Sequence, residues 1–315
     1  MRILADNKDV FVWIAYKGIF FNIYVIENLK REKLNSTEIS TYKKGELVIM
    51  KKIQRRLIII LIVAIFSLSY LAINKEEQYI ATNSEVLSNK KIGWGIKRNE
   101  NHEQPDVGSS NKKVLEENGG ICLGNPEKKY LYLTFDEGYE AGYTPQILET
   151  LKENQVKATF FITAHYVNSQ PDLVKQIIEE GHIIANHTVS HKSMPDLTEE
   201  KIKTEVMELH QVINEKFNYE MKYIRPPKGE FSQKTLQVTN QLGYKTVMWS
   251  FAYEDWNEDK QPDEQSSKKK ILDNLHNGEI MLLHGNSKTN TNILDSVIKE
   301  AKNMGYEFKN LDEFE

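Results

Sequence analysis

Short apolar runs and longer amphipathic segments take turns along the last 180 or so residues of the chain. The apolar runs predict strands, and they are "YLYLTF", "KATFFIT", "HIIAN", "KYIRP", "YKTVMWS", "EIMLLH" and "YEFKNL". Near-continuous apolar strands separated by helices predict a parallel sheet that is covered on both faces. Because the chain lacks a glycine-rich dinucleotide loop, we expect an α/β fold, a distorted (β/α) barrel of about seven strands.

The segments between these runs predict helices from their caps and their spacing. Thr144 and Pro145 begin one helix, Ser232 begins another that ends near Gly243, and a last helix starts at about Ile293. The longest amphipathic segment places apolar residues on one face at spacings of three and four. These residues are Ile202, Val206, Leu209, Ile213 and Phe217.

A membrane-targeting signal precedes this region. Met50 opens "MKKIQRRLIIILIVAIFSLSYLAIN", in which a basic cluster is followed by an uncharged apolar run from Leu57 to Ile73. Basic residues before such a run keep the N-terminus cytoplasmic and lead to export of the chain after the run. Residues 50–73 are therefore predicted to be a signal anchor or a signal peptide cleaved after Ser69, and both interpretations stay open.

The remaining chain divides by composition. Residues 1–49 show no clear helical or strand period, and the Lys-Gly-Glu codons before Met50 can spell a ribosome-binding sequence. We therefore expect residues 1–49 to be an untranslated or disordered extension. We predict a polar linker over residues 74–92, an N-terminal wrap on the catalytic domain over 93–129, and the catalytic domain over 130–315.

Charge and cysteine content narrow the possible partners. The 315 residues carry a formal net charge of −4 and no broad basic face, which argues against nucleic acid as a partner. The single cysteine cannot form a disulfide within the chain. The fold must therefore hold without covalent links between its elements.

Polar residues gather at the predicted carboxyl ends of the strands, where parallel α/β folds place their sites. They are Asp136, Glu137, His187, His191, Arg225, Asp255, Trp256 and His284. Taken alone, each has a structural interpretation: a solvated turn for the acids, a core position for His284 or Trp256, a surface turn for Arg225. Together they favour a catalytic site.

The two histidines of "HTVSH" indicate a metal site. In a strand, residues four apart lie about 13 Å apart, too far to share an ion, whereas on a turn their Cβ atoms come within roughly 6 Å. We therefore expect the strand to end by His187, so that His187, His191 and a carboxylate form the pattern of catalytic zinc. Of the adjacent acids, one would ligate the ion and the other would stay free as a base.

Three further motifs complete the predicted site. His284 ends an apolar strand and can act as a general acid if Asp255 holds it cationic. Arg225 leads "RPPKG", whose Pro227 stiffens the loop and whose Gly229 permits close backbone approach to a substrate. Trp256 can line a sugar-binding groove.

These motifs resemble those of the polysaccharide deacetylase family, carbohydrate esterase family four. "TFDEG", "HTVSH", "RPPKG", "DW" and "LLH" occur in the family's order from Tyr130 to about Phe308. The wording of "TFDEGYEAGYTP", "GHIIANHTVSH" and "WSFAYEDWN" looks most like the delta-lactam-forming N-acetylmuramic acid deacetylases of spore peptidoglycan, and this resemblance extends back to about Gly93.

The resemblance implies a role for each residue. Asp136 matches the catalytic base, His187 and His191 match the metal ligands, and His284 matches the catalytic acid. Arg225 matches the residue that orients the base, and Asp255 matches the partner of the acid. The chain departs from the family at Glu137, where the family has a second Asp, and at Ala252, where it has an acid. We expect Glu137 to ligate through its longer side chain, so that Glu137→Ala lowers bound metal.

The expected function is that of an exported, zinc-dependent hydrolase that removes the acetyl group from N-acetylmuramic acid in peptidoglycan glycan strands and so leads to muramic delta-lactam in spore cortex. We expect it in the cell wall or forespore envelope, secreted or held by its membrane segment. One alternative is an N-acetylglucosamine deacetylase of the vegetative cell wall or another glycan. The other is a catalytically silent wall-binding protein.

Overall fold

The computed structural model describes residues 2–6, 9–16, 19–25 and 87–315. The chain divides into two units, Met1–Ser84 and Glu85–Glu315. The predicted membrane segment over residues 50–73 and most of the predicted linker lie outside the described residues. Within the described ranges, no helix is long and apolar enough to cross a membrane.

The first unit contains three antiparallel strands. They are β1 (Arg2–Asp6), β2 (Asp9–Tyr16) and β3 (Ile19–Val25), with β2 in the middle. The sequence pattern predicts no regular element here, but β2 and β3 are rich in β-branched and aromatic residues, which favour extended backbone. The expectation that residues 1–49 are not translated stays a prediction.

The second unit is built on a sheet of seven parallel strands. These strands are β5 (Tyr130–Glu137), β6 (Thr159–Ile162), β7 (Ile183–Asn186), β8 (Tyr223–Ile224), β10 (Lys245–Thr246), β11 (Glu279–His284) and β12 (Glu307–Lys309). Two further short strands, β4 (Ile92–Gly93) and β9 (Glu230–Phe231), form a separate antiparallel pair. Each of the seven apolar runs of the sequence thus supplies one strand of the large sheet.

Helices connect the strands, as in a βα repeat. They are α1 (Ser109–Glu117), α2 (Thr144–Glu153), α3 (Ala164–Ser169), α4 (Pro171–Glu179), α5 (Glu199–Phe217), α6 (Gln233–Gln241), α7 (Glu264–Asp273) and α8 (Lys288–Asn303). The longest, α5, buries Ile202, Val206, Leu209 and Ile213, the apolar face that the spacing predicts.

The sheet is curled into an incomplete barrel. The strand order is β10-β8-β7-β6-β5-β11, with β12 paired to the start of β5. Between the outer strands β10 and β11, single bridges such as Phe251 to Met281 and Ile121 to Val247 continue the wall. The predicted distorted α/β barrel of seven strands is therefore confirmed.

Alternation along β5 separates the two sides of the sheet. Leu131, Leu133 and Phe135 face the helices and join the main hydrophobic core. Tyr132 instead packs inside the curl, in a second cluster with Phe161. Because side chains alternate along a strand, Asp136 falls on the inner face.

The predicted N-terminal wrap packs against one side of the sheet. Trp94 and Leu115 form a third buried cluster with Phe231 and Met248. The pair β4–β9 holds the start of the wrap beside the segment that comes after Gly229. The wrap therefore contacts the loops that carry the predicted site residues.

Candidate active site

The carboxyl ends of the parallel strands surround one cavity of about 910 Å³. Asp136, His187, His191, Gly229, Trp256 and His284 line it. The register pairs His284 of β11 directly with Asp136 of β5. The strand ends at which the sequence predicts catalytic residues therefore meet around one cavity.

Asp136 is held by a buried arginine. Arg225 is fully buried, and its Nη1 donates to Asp136 Oδ1 at 2.7 Å. Its guanidinium stacks over the ring of Phe161, 4.1 Å from the centroid. Burial alone would raise the pKa of Asp136, but Arg225, with smaller contributions from His187 and His284, outweighs burial and holds that pKa below its usual range. Asp136 is thus an oriented carboxylate.

His284 has a carboxylate partner of its own. Its Nδ1 lies 2.7 Å from Asp255 Oδ1, and its backbone N–H donates to Asp255 Oδ2 at 3.0 Å. The Asn290 side chain also donates to Asp255 Oδ2, at 2.6 Å. Burial opposes the charge of His284, but the buried Asp255 outweighs it and raises the pKa of His284. His284 is thus set up to carry a proton.

The two histidines of "HTVSH" lie together on a turn. Strand β7 ends at Asn186, one residue before His187, and the two imidazole rings are 4.8 Å apart. The Asn186 side chain accepts from Thr188 N, and Thr188 Oγ1 accepts from His191 N, which closes the turn. Local hydrogen bonds therefore give the close approach that an extended strand cannot.

The tautomer of His187 can be assigned from its contacts. Its Nδ1 lies 2.9 Å from the carbonyl oxygen of Arg225, which can only accept, so Nδ1 carries the proton. Burial lowers the pKa of His187 to about 4, and the ring is neutral. Its Nε2 lies 3.5 Å from Asp136 Oδ2. This nitrogen therefore offers its lone pair to the cavity.

Glu137 does not join the histidines. It is 1% exposed, does not line the cavity, and makes no hydrogen bond with either carboxylate oxygen. A Cβ built on Gly285 would meet Glu137 Oε1 at 1.8 Å, so the carboxyl group packs against this glycine. The sequence predicts Glu137 as a metal ligand, but the structure turns its side chain away from the cavity. Consecutive strand residues point to opposite faces of the sheet, and Asp136 takes the inner face.

Burial and two neighbouring acids disfavour the charged form of Glu137. Burial, together with the charges of Glu140 and Asp136, raises its pKa well above the usual range. A neutral carboxyl group is a poor metal ligand.

The donor set therefore fits a metal only in part. In the part of the chain that the structure describes, no group of three His, Cys, Asp or Glu side chains is arranged to hold an ion. The imidazoles of His187 and His191 face the cavity, but a zinc site needs a third protein ligand. The predicted three-residue set with Glu137 does not form.

The predicted substrate-binding residues divide into two groups. Trp256 is half exposed and lines the cavity, as does Gly229. Pro227 is buried and does not line the cavity. In the turn Pro227–Gly229, Lys228 lines the cavity in its place.

Several polar or charged lining residues lie outside the predicted set, and four of them can contact a substrate through long or aromatic side chains or an amide. These four are Tyr139, His165, Lys228 and Asn286. Tyr139, Lys228 and Asn286 lie within three residues of a motif residue, so position after a strand end is the signal that could have found them. His165 comes after β6, whose end carries no acid or histidine.

The cavity combines a proton acceptor with a proton donor. Asp136 is poised to accept a proton and His284 to donate one, and the two lie on neighbouring strands. A base and an acid with pKa values moved apart by different partners are the requirement for general acid–base hydrolysis. The half-exposed ring of Trp256 supplies a face on which a sugar can pack.

Comparisons with known proteins agree with this chemistry. The sequence profile of a family described as polysaccharide deacetylase matches residues 123–247. The chain is 40% identical over 237 residues to the peptidoglycan-N-acetylmuramic acid deacetylase PdaA of Bacillus subtilis, covering 74% of this chain and 89% of that protein. It is 33% identical over 208 residues to a peptidoglycan-N-acetylglucosamine deacetylase of Bacillus cereus, covering 64% of this chain and 96% of that protein.

The fold is also similar to a solved structure. The structure of B. subtilis PdaA, a family 4 carbohydrate esterase, matches with a TM-score of 0.71 and 39% identity. The match covers 72% of this chain and 98% of that chain.

Proposed function

The chain belongs to the polysaccharide deacetylase family and is a hydrolytic deacetylase, and on this premise we propose that it removes the acetyl group from N-acetylmuramic acid in peptidoglycan. The relatives named as peptidoglycan deacetylases support peptidoglycan as the polymer. The N-acetylmuramic acid deacetylase has the higher identity, 40% against 33%, and its match covers more of this chain, which favours that sugar over N-acetylglucosamine.

The observation that carries the proposal is the pairing of a base and an acid across one cavity. Asp136 is oriented by Arg225 and His284 by Asp255, and each partner is buried. A wall-binding protein without catalysis needs neither proton acceptor nor proton donor. The geometry therefore favours hydrolysis over binding alone.

The proposed reaction uses both proton-transfer groups. Asp136 takes a proton from the water that attacks the acetamide carbonyl, while Arg225 keeps its carboxylate in place. The tetrahedral carbon then collapses, the C–N bond breaks, and His284 gives its proton to the departing amine. Acetate and a sugar with a free amine are the products.

Metal dependence is a property of the family's deacetylases in general. In the described part of this chain, His187 and His191 alone make an incomplete ligand set for zinc. The two proton transfers are therefore assigned to Asp136 and His284, which both line the cavity.

The location and the fate of the product belong to the same proposal. Peptidoglycan lies outside the membrane, and the basic and apolar segment over residues 50–73 supports export, with the protein secreted or held at the membrane. The amine released from N-acetylmuramic acid can close on its lactyl carboxyl group with loss of water, which gives the muramic delta-lactam of spore cortex.

Acetate release tests this function. The substrates are glycan strands freed of stem peptides and N-acetylglucosamine oligomers, each assayed with Zn²⁺, with Co²⁺ and with no added metal. We expect the wild type to release acetate from the glycan strands and Asp136→Asn to lose about 10²-fold or more in kcat. Equal release by Asp136→Asn would contradict the mechanism, and release from the oligomers alone would favour the N-acetylglucosamine alternative.

A further inference from the structure

We propose that Lys228 determines substrate specificity: its ammonium group binds a carboxylate carried by the substrate sugar, the lactyl carboxylate in the case of N-acetylmuramic acid. This inference rests on the proposed function and names the group that selects among acetylated sugars. Lys228 lines the same cavity as Asp136 and His284. It therefore lies where a second group of a bound sugar can reach it.

The backbone at Lys228 is strained in a way that indicates a functional position. Lys228 has φ 60° and ψ 8°, and Gly229 comes next with φ 66°. The left-handed region is unfavourable for a residue with a Cβ, and such strain persists where the surrounding structure over-determines it. A lysine in an ordinary surface turn needs no such conformation.

Two tryptophans hold this strained loop in place. Trp94 N donates to the Gly229 carbonyl at 2.8 Å, and Trp94 Nε1 donates to the Trp249 carbonyl at 2.8 Å. A Cβ built on Gly229 would meet the Trp249 ring at 2.7 Å, so the loop backbone lies directly on that ring. The orientation of Lys228 toward the cavity is therefore built into the fold.

Lys228 makes no ion pair with the carboxylates around it in the described part of the chain. Among the described residues that line the cavity, Asp136 is the only carboxylate, and it is paired with Arg225. The nearby Asp196 and Glu230 both pair with Lys91, at 2.7 and 3.1 Å. Within residues 87–315, Lys228 itself has no carboxylate at ion-pair distance.

The other charged groups at the cavity have partners of opposite charge. His284 lies 2.7 Å from Asp255, and Asp136 lies 2.7 Å from Arg225. Among the described residues that line the cavity, Lys228 is therefore the cation without an acidic partner. N-acetylmuramic acid and N-acetylglucosamine carry the same acetamide, and the lactyl carboxylate is the charged group by which they differ. A free ammonium group in the cavity is the element that can distinguish them.

The test compares Lys228→Met with Lys228→Arg on three substrates. These are glycan strands freed of stem peptides, the same strands with the lactyl carboxylate methyl-esterified, and N-acetylglucosamine oligomers. Met keeps a Cβ and a chain of similar length, so the strained backbone is the same. We expect Lys228→Met to lower kcat/KM about 10- to 100-fold on the unmodified strands alone, the range for loss of a charged hydrogen bond. Lys228→Arg should restore most of it.

Lys222→Met is the matched control. Lys222 precedes β8, at the end of that strand away from Arg225, and forms an exposed pair with Asp312 at 3.5 Å. We expect this variant to match the wild type on all three substrates. Binding of the unmodified strands is measured in parallel by calorimetry, so that Lys228 is tested even if no acetate is released.

The outcomes separate the two proposals. A wild type that releases no acetate from any substrate, but whose binding weakens in Lys228→Met, contradicts the proposed function and supports the carboxylate contact. An equal loss on all three substrates, or no loss on the unmodified strands, overturns the role of Lys228 and leaves the deacetylase proposal standing. A wild type that does not distinguish esterified from unmodified strands also overturns it.

Discussion

At the scale of single residues, the site works because each proton-transfer group has a separate buried partner. Arg225 favours the charged form of Asp136, and Asp255 favours the charged form of His284. The first pairing lowers a carboxyl pKa and the second raises an imidazole pKa, so both groups are in their reactive state at the same pH.

Removing the partner of His284 should narrow the pH range of activity from the alkaline side. His284 can donate a proton only below its pKa, so activity falls as the pH rises through that value. Asp255→Asn removes the charge that raises this pKa. We expect the pH at which kcat/KM falls on the alkaline side to be about 1 to 3 units lower than in the wild type.

The pH–rate profiles of the wild type, of Asp255→Asn and of a control variant check this shift. Asp259→Asn is the control, because Asp259 is exposed on the same loop and does not contact His284. An unchanged alkaline limb in Asp255→Asn would show that another group sets it.

The placement of Glu137 leads to a prediction about metal binding. Its carboxyl group packs on Gly285, away from the cavity, and burial raises its pKa, which disfavours the charged form that a metal needs. We therefore expect Glu137→Gln to bind Zn²⁺ with an affinity within about twofold of the wild type, measured by calorimetry. A tenfold or greater loss would restore Glu137 as a ligand. His187→Ala is the comparison variant, because His187 does line the cavity.

The sequence identified most of the site at this scale but not the direction of every side chain. Asp136, His187, His191 and His284 all line the cavity, because strand ends in a parallel sheet converge. Ligand chemistry and the family's pattern predict Glu137 as a metal ligand, whereas strand alternation determines which of two adjacent acids faces inward. Lys228 was missed because its orientation depends on a left-handed backbone that no propensity predicts.

At the scale of elements, the turn Pro227–Gly229 combines left-handed backbone with close packing. Gly229 has a positive φ and lies against Trp249. Gly229→Ala should therefore meet both backbone strain and a steric clash. We expect it to lower the free energy of unfolding by about 1 to 3 kcal/mol and to reduce kcat/KM, because Lys228 moves with the turn.

Gly243→Ala separates the effect of backbone strain from the effect of the steric clash. Gly243 also has a positive φ, of 88°, but a Cβ there meets no atom within 4 Å. We expect this variant to lose about 1 to 2 kcal/mol from backbone strain and to keep full activity. Chemical denaturation and the acetate assay give both readouts, and equal activity in the two variants would contradict a role for the turn.

The elements were predicted best where their apolar pattern was strong. The amphipathic face of α5 was identified residue by residue. Helix α8 begins at Lys288, five residues before the expected Ile293, because its first turn is capped by Ser287 and buries polar residues that give no apolar signal. Helix α1 was not predicted, since Leu115 is its only buried residue.

At the scale of the whole molecule, the N-terminal wrap supports the active site from outside the barrel. Trp94 joins the wrap to both Gly229 and Trp249. We expect Trp94→Ala to lower the free energy of unfolding by about 3 to 5 kcal/mol and to lower kcat/KM at a temperature where the protein is still folded. Loss of stability without loss of activity would show that the wrap serves stability alone.

Val114→Ala is the control for this effect. Val114 packs in the same wrap, on α1, and is partly buried in the same cluster. We expect it to reduce stability without changing activity, because the hydrogen bonds to Gly229 and Trp249 come from Trp94. Thermal unfolding and acetate release, measured on the same samples, separate the two effects.

The sequence predicted the barrel but not how its wall is completed. The seven strands and their parallel direction are expected from the apolar runs. Completion depends on single bridges from residues outside the regular strands, such as Ile121 and Phe251. Isolated contacts of this kind leave no periodic signal in a sequence.

The direct pairing of His284 with Asp136 has a consequence for how such an enzyme can change its substrate. Neighbouring strands in any sheet lie about 4.8 Å apart, whatever their sequence. The distance between proton donor and acceptor therefore depends on a ladder of backbone hydrogen bonds and is insensitive to the loops. Loops such as Arg225–Gly229 can then vary to admit a different sugar while the proton-transfer geometry stays constant.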